Sequence, residues 1–452
     1  MNHWSQDAVF YHIYPLGLCG APRRNDFSEQ PTPRLAELHA WIGHMRELGA
    51  NALYLGPLFE STAHGYDTAD YYHVDRRLGD SQTLADLSAA LHAAGIRLIL
   101  DGVFNHVGRD FWAFRDLRAN GEGSPYRDWF VGVDFSRRSP CDDSFSYAGW
   151  NSNYDLVKLN LGNPAVREHL FGAVRMWFEQ FGIDGLRLDV AEEIDPSFLR
   201  ELAALCKGIR PDAWLMGEQV HGDYRSLTDG AHLDSATNYE LYKGLYSSLN
   251  DANYFEVAYA LKRQFGPGGI YRSLPLYNFA DNHDVARVAS LLRNPRHLYP
   301  LYALLLTAPG VPSIYYGSEW GIGGVKAKDD WPLRPRLSLP EAAQSAPQPE
   351  LSAAISRLTA LRHATPALRQ GDYTQLHVAA EQIAFARRLG EQIAIVALNA
   401  SSAPSRLDLP VDLPDGTRLA DALEPGREAV VRGGRISLEV PTCWARVLVH
   451  AL

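Results

Sequence analysis

Two charged residues interrupt a short apolar segment, Ile183 to Ala191, that the sequence predicts to be a buried strand. Arg187 and Asp189 lie two positions apart, so in a strand their side chains point to the same side. A buried strand rarely accepts ions unless they are paired. The pair is therefore either a structural ion pair or a carboxylate held ionised for chemistry, and this segment alone favours the structural interpretation.

Further polar side chains follow the ends of other strand-like segments. They are the carboxylates Glu218 and Asp284, together with His64, Tyr66, Asp67, Asp101, Asn105, His106 and His283. Each residue alone is more often a turn residue, a helix cap or an ordinary polar group. Their joint placement at successive strand ends instead indicates one shared pocket. There Tyr66 offers a flat face for stacking on a sugar, and His106 and His283 can donate hydrogen bonds to hydroxyl groups.

Two carboxylates in one pocket suit the cleavage of a glycosidic bond. One protonates the leaving oxygen, while the other attacks the anomeric carbon or activates water. We expect Asp189 to be the ionised group, because Arg187 on the same face would lower its pKa. We expect Glu218 to be the acid, which must keep its proton until the bond breaks. Asp284 cannot be assigned by spacing alone, and it could bind sugar hydroxyls.

The elements that must position these residues follow a repeated pattern. Strand-like segments alternate with helix-like segments, which is typical of parallel βαβ units. The predicted strands cover residues 8–14, 52–55, 96–101, 183–191, 213–218, 236–239, 276–281 and 311–317. Eight such units predict a closed (β/α)8 TIM barrel, although a doubly wound sheet is not excluded by the pattern alone. The candidate residues then lie at the C-terminal ends of the strands, where barrel enzymes carry their chemistry.

The sequence divides into three predicted parts. Residues 1–105 and 162–370 form the barrel, and residues 106–161, after the third strand, form an inserted subdomain over its mouth. Residues 371–452 change to short alternating strands, which predicts a C-terminal antiparallel β-sandwich domain. Ser338 to Glu350 is rich in Pro, Ala and Gln and is predicted to be a surface loop.

Composition excludes several classes of partner. The formal net charge is −10 with no basic cluster, which argues against a nucleic-acid partner. The four cysteines show no C-x-x-C spacing, so we expect free thiols rather than a disulfide framework or a zinc site. The N-terminus lacks the features of a signal peptide, and no apolar run has the length of a membrane span. We therefore expect a cytoplasmic protein with no membrane partner.

Four segments resemble the signature segments of the alpha-amylase family of retaining glycoside hydrolases, in the expected order. They are Asp101–His106, Gly185–Ala191, Gly217–Glu218 and Phe279–Asp284. The resemblance implies Asp189 as the nucleophile, Glu218 as the acid/base and Asp284 as the third carboxylate, which stabilises the transition state. It also implies that His64, Tyr66, Asp101, His106, Arg187 and His283 surround the cleaved sugar. The inserted subdomain resembles the B domain of the family, and the C-terminal part resembles its C domain.

Within the family, the segments Lys158–Asn160, Asp189–Asp195 and Gly217–His221 look most like the cyclomaltodextrinase, neopullulanase and maltogenic amylase group. That resemblance implies cleavage of mainly α-1,4 bonds in short or cyclic malto-oligosaccharides, and it adds Glu193 and His221 to the candidate substrate-binding residues. The chain begins directly at its first predicted strand, so we expect the N-terminal domain through which this group commonly dimerises to be missing. A monomer and a homodimer both stay open.

Several alternatives remain at this point. One is an exo-acting α-glucosidase, or a transglycosylase or isomerase of the same family; another is a catalytically inactive sugar-binding barrel. A third is a metal-dependent hydrolase that uses Asp101, His106 and His283. We expect no required cofactor, and Asn105, which matches a calcium ligand of the family, is a weak candidate because such sites need about six to eight oxygen ligands. Trp129, Trp150 and Trp331 could stack on sugars or merely pack.

Overall fold

The central element of the fold is a sheet of eight parallel strands, seen in a computed structural model that describes residues 3–229 and 231–450. The strands are β1 (Phe10–Ile13), β2 (Ala52–Leu55), β3 (Arg97–Gly102), β4 (Gly185–Leu188), β5 (Trp214–Gly217), β6 (Ser235–Ala236), β7 (Tyr277–Phe279) and β8 (Val311–Tyr315). Their order is β7-β8-β1-β2-β3-β4-β5-β6, and a parallel bridge from Thr237 to Tyr277 joins the two edges. The sheet is thus closed, which confirms the predicted barrel.

Helices surround this barrel. They span Pro15–Leu18, His39–Glu47, Ser81–Ala93, Pro164–Phe181, Pro196–Ile209, Arg225–Thr228, Tyr239–Asn250, Tyr254–Phe265, Val288–Leu291, Leu298–Thr307, Leu339–Gln344, Leu351–Ala364 and Pro366–Gln370. The helix that leads into β4 has clear end signals: the Asn163 side chain accepts a hydrogen bond from Ala165 N at its start, and Gly182 ends it with a φ of +64°. In the described part of the chain, no helix is both long and apolar enough to cross a bilayer.

The lower interior of the barrel is filled by apolar side chains. Phe10 stacks on Trp214 with ring centroids 5.0 Å apart, and Tyr277 meets Phe10 edge-on. The same buried cluster contains Tyr54, Ile99, Met216, Phe279 and Val311. The candidate site residues lie at the opposite, C-terminal mouth of the barrel.

The insertion after β3 folds as a small unit beside that mouth. Its strands His106–Gly108, Gly149–Trp150 and Asn153–Lys158 form an antiparallel sheet, and its helix spans Trp112–Asn120. Arg109 holds the unit together through two hydrogen bonds of 2.7 and 2.9 Å to the carboxylate of Asp143. The limits of the three domains stay predictions.

The C-terminal part consists of antiparallel strands in two layers. The strands are β9 (Asp372–Val378), β10 (Gln382–Leu389), β11 (Gln392–Asn399), β12 (Ser405–Pro410), β13 (Arg418–Asp421), β14 (Glu428–Val430), β15 (Arg435–Val440) and β16 (Trp444–His450). Six of them form one sheet, β12 and β15 form the other, and a separate apolar core lies between the layers. This arrangement agrees with the predicted sandwich.

Three boundaries differ from the predictions. The sixth strand was predicted to reach Tyr239, but Asn238 already caps the next helix by accepting a hydrogen bond from Leu241 N. The fourth strand ends before Asp189, because Val190 turns the backbone with a φ of +39°. The predicted surface loop at residues 338–350 contains the helix Leu339–Gln344, which a proline in its first turn favours.

A buried carboxylate at the start of β4 joins three barrel elements. Asp184 accepts hydrogen bonds from Arg97 Nη1 at 2.7 Å, His92 Nε2 at 2.7 Å and Leu98 N at 2.8 Å, and Arg210 also contacts it. Burial alone would raise the pKa of Asp184, but these donors together lower it. The paired carboxylate therefore stabilises the fold above the pKa of the unfolded chain, and this contribution falls as the pH drops through the lowered pKa.

We predict that Asp184→Asn lowers the free energy of unfolding by about 2 kcal/mol at pH 7, because it leaves partly buried cations without their partner. The matched control is Asp408→Asn, which removes an exposed carboxylate 2.7 Å from Arg435 and should cost less than about 1 kcal/mol. Urea unfolding of both variants measures the difference, and equal losses would contradict the prediction.

Candidate active site

A cavity of about 600 Å³ opens at the C-terminal ends of the barrel strands. It is lined by the three carboxylates that the sequence predicts to be site residues, Asp189, Glu218 and Asp284. The other lining residues include His64, Tyr66, His106, Trp150, Glu192, Glu193, Val220, Tyr239, Lys326, Asp330, Trp331 and Arg334. The carboxylates therefore reach one shared space although they come from three different strand ends.

The guanidinium of Arg187 lies beneath this cavity and binds three carboxylates. Its Nη1 is 2.8 Å from Asp189 Oδ1 and 3.0 Å from Asp101 Oδ1, and its Nη2 is 2.8 Å from Glu218 Oε2. Only 3% of the Arg187 surface is exposed, so these ions are largely shielded from water. One buried cation thus positions two of the lining carboxylates and a third behind them.

Asp101 is that third carboxylate, and its partners are phenols. Tyr54 and Tyr66 donate hydrogen bonds to Asp101 Oδ2 at 2.7 and 3.0 Å. Asp101 does not line the cavity, but it fixes both Arg187 and the ring of Tyr66, which does line it. Its contacts are those of a positioning residue.

The backbone after β4 turns in a way that brings Asp189 and Glu218 together. The amide of Asp189 still donates to Gly102 O at 3.0 Å, as a strand residue would. The next residue, Val190, has a left-handed φ of +39°, which is rare for a β-branched residue, and its amide donates to Glu218 Oε2 at 3.0 Å. Such strain is typical of functional sites held in place by their surroundings.

Asp284 is held by two basic side chains. His283 Nε2 lies 2.9 Å from Asp284 Oδ2, and Arg334 Nη2 lies 2.9 Å from Asp284 Oδ1. Arg334 in turn packs over the ring of Tyr14 at 4.4 Å and donates to His283 O at 2.9 Å. Burial opposes ionisation, but the charges of these neighbours outweigh it and hold the pKa of Asp284 far below its ordinary value. Asp284 is therefore ionised at neutral pH.

The expected effect of Arg187 on Asp189 is present but does not dominate. Burial raises the pKa of Asp189 well above its ordinary value, and the negative charges of Glu218 and Asp101 add to the rise, while Arg187 opposes it. The expectation of a net lowering was wrong, because burial outweighs the guanidinium and two further carboxylates add to the rise. Burial of the site thus favours the protonated form of Asp189 more than it would in an exposed aspartate.

His106 supplies a neutral ring at the wall of the cavity. Burial, followed by the charge of His64, lowers the pKa of His106 to about 3. Its ring lies 5.5 Å from that of Trp150 in a stacked arrangement, and its Nε2 is 3.9 Å from Asp189 Oδ2. That buried nitrogen has no hydrogen-bond partner among the described residues, so it is available to a hydroxyl group in the cavity.

The remaining predicted site residues lie in different places. Glu193 lines the cavity and pairs with Lys158 at 3.4 Å. His221 is exposed and does not line the cavity; its backbone amide lies 3.4 Å from Glu192. Arg187 and His283 lie beneath the cavity, in contact with side chains that line it. The roles assigned to these residues stay predictions.

The metal alternatives find little support in the arrangement. Across residues 3–229 and 231–450, no group of three or more His, Cys, Asp or Glu side chains could hold a metal ion. Asn105 is buried, and its amide nitrogen lies 3.2 Å from His106 Nδ1. Calcium dependence stays untested.

Two polar residues whose side chains contact the site carboxylates escaped the sequence analysis. Tyr239 donates a hydrogen bond of 3.3 Å to Glu218 Oε1 and receives one from Asn282. Arg334 reaches Asp284 from the loop after β8, where no motif indicates it. Of the three tryptophans considered, Trp150 and Trp331 line the cavity, whereas Trp129 packs inside the insertion against Trp112. The position of Tyr239 just after β6 is the one signal that could have identified it.

Two neighbouring carboxylates at the mouth of a (β/α)8 barrel, faced by a third, are an arrangement that glycoside hydrolases use. Residues 38–346 match the family model "Alpha amylase, catalytic domain", and residues 373–443 match "Neopullulanase-like, C-terminal domain". The chain belongs to the alpha-amylase family.

Relatives with known names agree with this assignment. A cyclomaltodextrinase of a Bacillus species is 33% identical, over 88% of this chain and 73% of the relative. Neopullulanase 2 of Thermoactinomyces vulgaris is 32% identical, over 96% of this chain and 76% of the relative. Among solved structures, a cyclic α-maltosyl-(1→6)-maltose hydrolase from Arthrobacter globiformis superposes with a TM-score of 0.82 at 28% identity, covering 100% of this chain and 99% of that one.

The raised pKa of Asp189 predicts a gain in stability when its charge is removed. At pH 7 the folded state disfavours ionisation of this carboxyl relative to the unfolded chain, whereas below the unfolded pKa of about 3.9 both states are protonated. Asp189→Asn should therefore raise the free energy of unfolding by roughly 1–2 kcal/mol at pH 7 and lose this advantage near pH 4. Thermal unfolding at the two pH values measures it.

The control is the same substitution at Asp101. Asp101→Asn removes the acceptor of two tyrosine hydroxyls and a partner of Arg187, so it should destabilise the protein at pH 7. Destabilisation of similar size in both variants would show that the excess negative charge around Arg187 has no energetic effect.

Proposed function

We propose that the enzyme hydrolyses α-glucosidic bonds, mainly α-1,4, in short or cyclic malto-oligosaccharides. The observation that carries this proposal is the convergence of Asp189, Glu218 and Asp284 on one cavity. The names of the cyclomaltodextrinase and neopullulanase relatives support the substrate class. Asp189 acts as the nucleophile, Glu218 as the acid/base, and Asp284 stabilises the positive charge that develops on the sugar.

The contacts of Arg187 support a retaining, double-displacement reaction. Retaining enzymes place their two carboxyls about 5–5.5 Å apart, whereas inverting enzymes leave room for a water between them. Asp189 and Glu218 bind the two Nη atoms of the same guanidinium, each at 2.8 Å. This shared partner favours the shorter, retaining separation.

Acidic side chains near Glu218 offer acceptors for sugar hydroxyls. The carboxylate of Glu192 lies 3.4 Å from the amides of Val220 and His221, which follow Glu218 closely in the chain. Glu192 and Glu193 line the same cavity as Glu218. These two carboxylates can therefore accept hydrogen bonds from hydroxyl groups of a short oligosaccharide.

A second candidate is the hydrolysis of an α-1,6 bond in a small cyclic oligosaccharide. The observation that favours it is the structural match to the cyclic α-maltosyl-(1→6)-maltose hydrolase, which covers nearly the whole of both chains. The same carboxylates would perform this reaction, so the two candidates differ in substrate and not in mechanism.

We also propose that the enzyme acts inside the cell. A relative named intracellular maltogenic amylase, from Bacillus subtilis strain 168, is 28% identical over 90% of this chain. Sedimentation of the purified protein would decide between a monomer and a homodimer.

The roles of the carboxylates predict large kinetic losses with little loss of fold. Glu218→Gln should lower kcat on a malto-oligosaccharide by about 10²- to 10⁴-fold, and Asp189→Asn by at least as much. Initial rates with maltotriose and a cyclodextrin measure these losses. Asp408→Asn, in the C-terminal domain, is the matched control and should keep full activity; near-normal turnover of either active-site variant would overturn the assignment.

The substrate proposal predicts which compounds are cleaved. Maltotriose and cyclodextrins should be cleaved faster than long starch, and the first product released should carry the α configuration, because two displacements retain it. Chromatography of digests of maltotriose, a cyclodextrin, pullulan, starch and an α-1,6-linked cyclic tetrasaccharide tests the first point, and proton NMR of fresh products tests the second. Initial release of the β anomer would exclude a retaining mechanism.

A further inference from the structure

The loop that follows β8 supplies one wall of the cavity, although it contains no helix or strand over residues 321–330. Trp331 and Arg334 of this loop line the cavity. Arg334 also binds Asp284, so the position of the loop determines how the third carboxylate is held. A loop without backbone pairing depends on contacts with the structure beneath it. Several of those contacts are made here by one buried residue.

That residue is Arg287, which follows the third carboxylate closely in the chain and is fully buried. It contacts the start, the middle and the end of the 316–334 loop. Its Nη1 donates to Tyr316 O at 2.8 Å, its backbone amide donates to Gly324 O at 2.9 Å, and its Nε donates to Leu333 O at 3.2 Å. One residue thus binds three carbonyl groups that are far apart along the loop.

Two tyrosines extend this contact to the end of the loop. The carbon of the same guanidinium lies 4.5 Å from the ring centroid of Tyr315 and 5.1 Å from that of Tyr316, and a cation over an aromatic face stabilises both groups. The Tyr315 hydroxyl donates to Leu333 O at 3.1 Å. The Tyr316 hydroxyl donates to Pro335 O at 2.8 Å. The carbonyl groups that precede and follow Arg334 are therefore both held.

The backbone of the loop lies directly against the Arg287 side chain at two glycines. A Cβ atom on Gly324 would lie 3.2 Å from Arg287 Cδ and 2.5 Å from Pro332 O. A Cβ atom on Gly317, whose φ is +88°, would lie 3.4 Å from Arg287 Nη1. The loop thus packs closely around the side chain, which restricts where its carbonyl groups can lie.

We propose that Arg287 is a positioning residue, which holds the 316–334 loop against the end of β8 and so places Arg334 where it binds Asp284. This inference rests on the proposed function and deepens it, because Asp284 acts on the sugar there. Arg287 does not line the cavity, so its effect on the reaction passes through Arg334. A displacement of about 1 Å at such a contact is enough to lower a rate by roughly 100-fold.

The test is a double-mutant cycle in the full-length enzyme, measured as kcat/KM on maltotriose. Arg287→Met keeps an unbranched side chain against the tyrosines but removes the side-chain donors, and it should lower kcat/KM by roughly 10- to 100-fold. Arg334→Met should cause a loss at least as large. Because Arg287 acts through Arg334, the double variant should lie within about threefold of Arg334→Met. Losses that multiply in the double variant would overturn the proposal, since independent effects add in free energy.

A milder substitution tests the same carbonyl group without removing a buried charge. Tyr315→Phe keeps the ring but removes the second hydrogen bond to Leu333 O, so it should lower kcat/KM by about three- to tenfold. This loss should vanish when Arg334→Met is already present. Full activity of Tyr315→Phe, or an undiminished loss beside Arg334→Met, would contradict the positioning role.

A buried arginine outside the site provides the matched control. Arg362 is also fully buried, and its partners in the described part of the chain are carbonyl groups, among them Leu306 O at 3.0 Å and Gly310 O at 2.6 Å. Arg362→Met should lower the thermal midpoint but keep kcat/KM within about twofold of the parent enzyme. An equal loss of kcat/KM in Arg362→Met and Arg287→Met would show that the loss of any buried arginine explains the effect, and the proposal would fail.

A proteolytic readout does not depend on activity. Lys326 and Lys328 are exposed in the loop, so trypsin cuts there when the loop opens. Cleavage at these two sites, identified by mass spectrometry, should be at least about tenfold faster in Arg287→Met than in the parent, and unchanged in Arg362→Met. Cleavage of Arg287→Met at the parent rate would refute the proposal. If the parent protein cleaved none of the glucans, the proposed function would fail, and this readout would still decide whether Arg287 holds the loop.

Discussion

The active site depends on one buried guanidinium. Adjacent strands set its contacts by register: Asp101 on β3 pairs with Arg187 on β4, and Leu188 pairs with Gly217 on β5, so Asp189 and Glu218 follow side by side. Burying these ions separately would cost far more than burying them together. Burial, together with the negative charges of Glu218 and Asp101, raises the pKa of Asp189 although Arg187 opposes the rise.

The closed barrel keeps the charge cluster apart from the apolar interior, because the two occupy different layers. Below the cluster, Phe10, Trp214 and Phe279 fill the interior and exclude water from the lower ends of the strands. The ions at the mouth keep one side toward the cavity, where a bound sugar or solvent can contact them. The buried charges that cost stability therefore lie at the mouth of the barrel, where the candidate active site is.

The features that could be predicted from the sequence are those that short local patterns determine. Alternating segments indicated the barrel, and motifs at the strand ends indicated Asp189, Glu218 and Asp284, because strand register brings such ends together. Contacts made across long stretches of chain were not predictable. Arg334 reaches Asp284 from a loop 50 residues later, and the pKa of Asp189 depends on burial that no short segment reveals. The predicted sixth strand was too long, because Asn238 caps the next helix and so ends the strand earlier.

The carboxylates of the site and the walls of its cavity come from different elements. Asp189 and Glu218 follow strand ends whose positions are fixed by backbone pairing. The walls of the cavity come from the insertion, through Trp150, and from the loop after β8, where Lys326 lies 3.1 Å from Asp330 and Arg334 holds Asp284. Loops can change length and sequence without disturbing the barrel. Changes in the insertion and in the loop after β8 can therefore alter the cavity while the strand ends that carry the carboxylates stay in place.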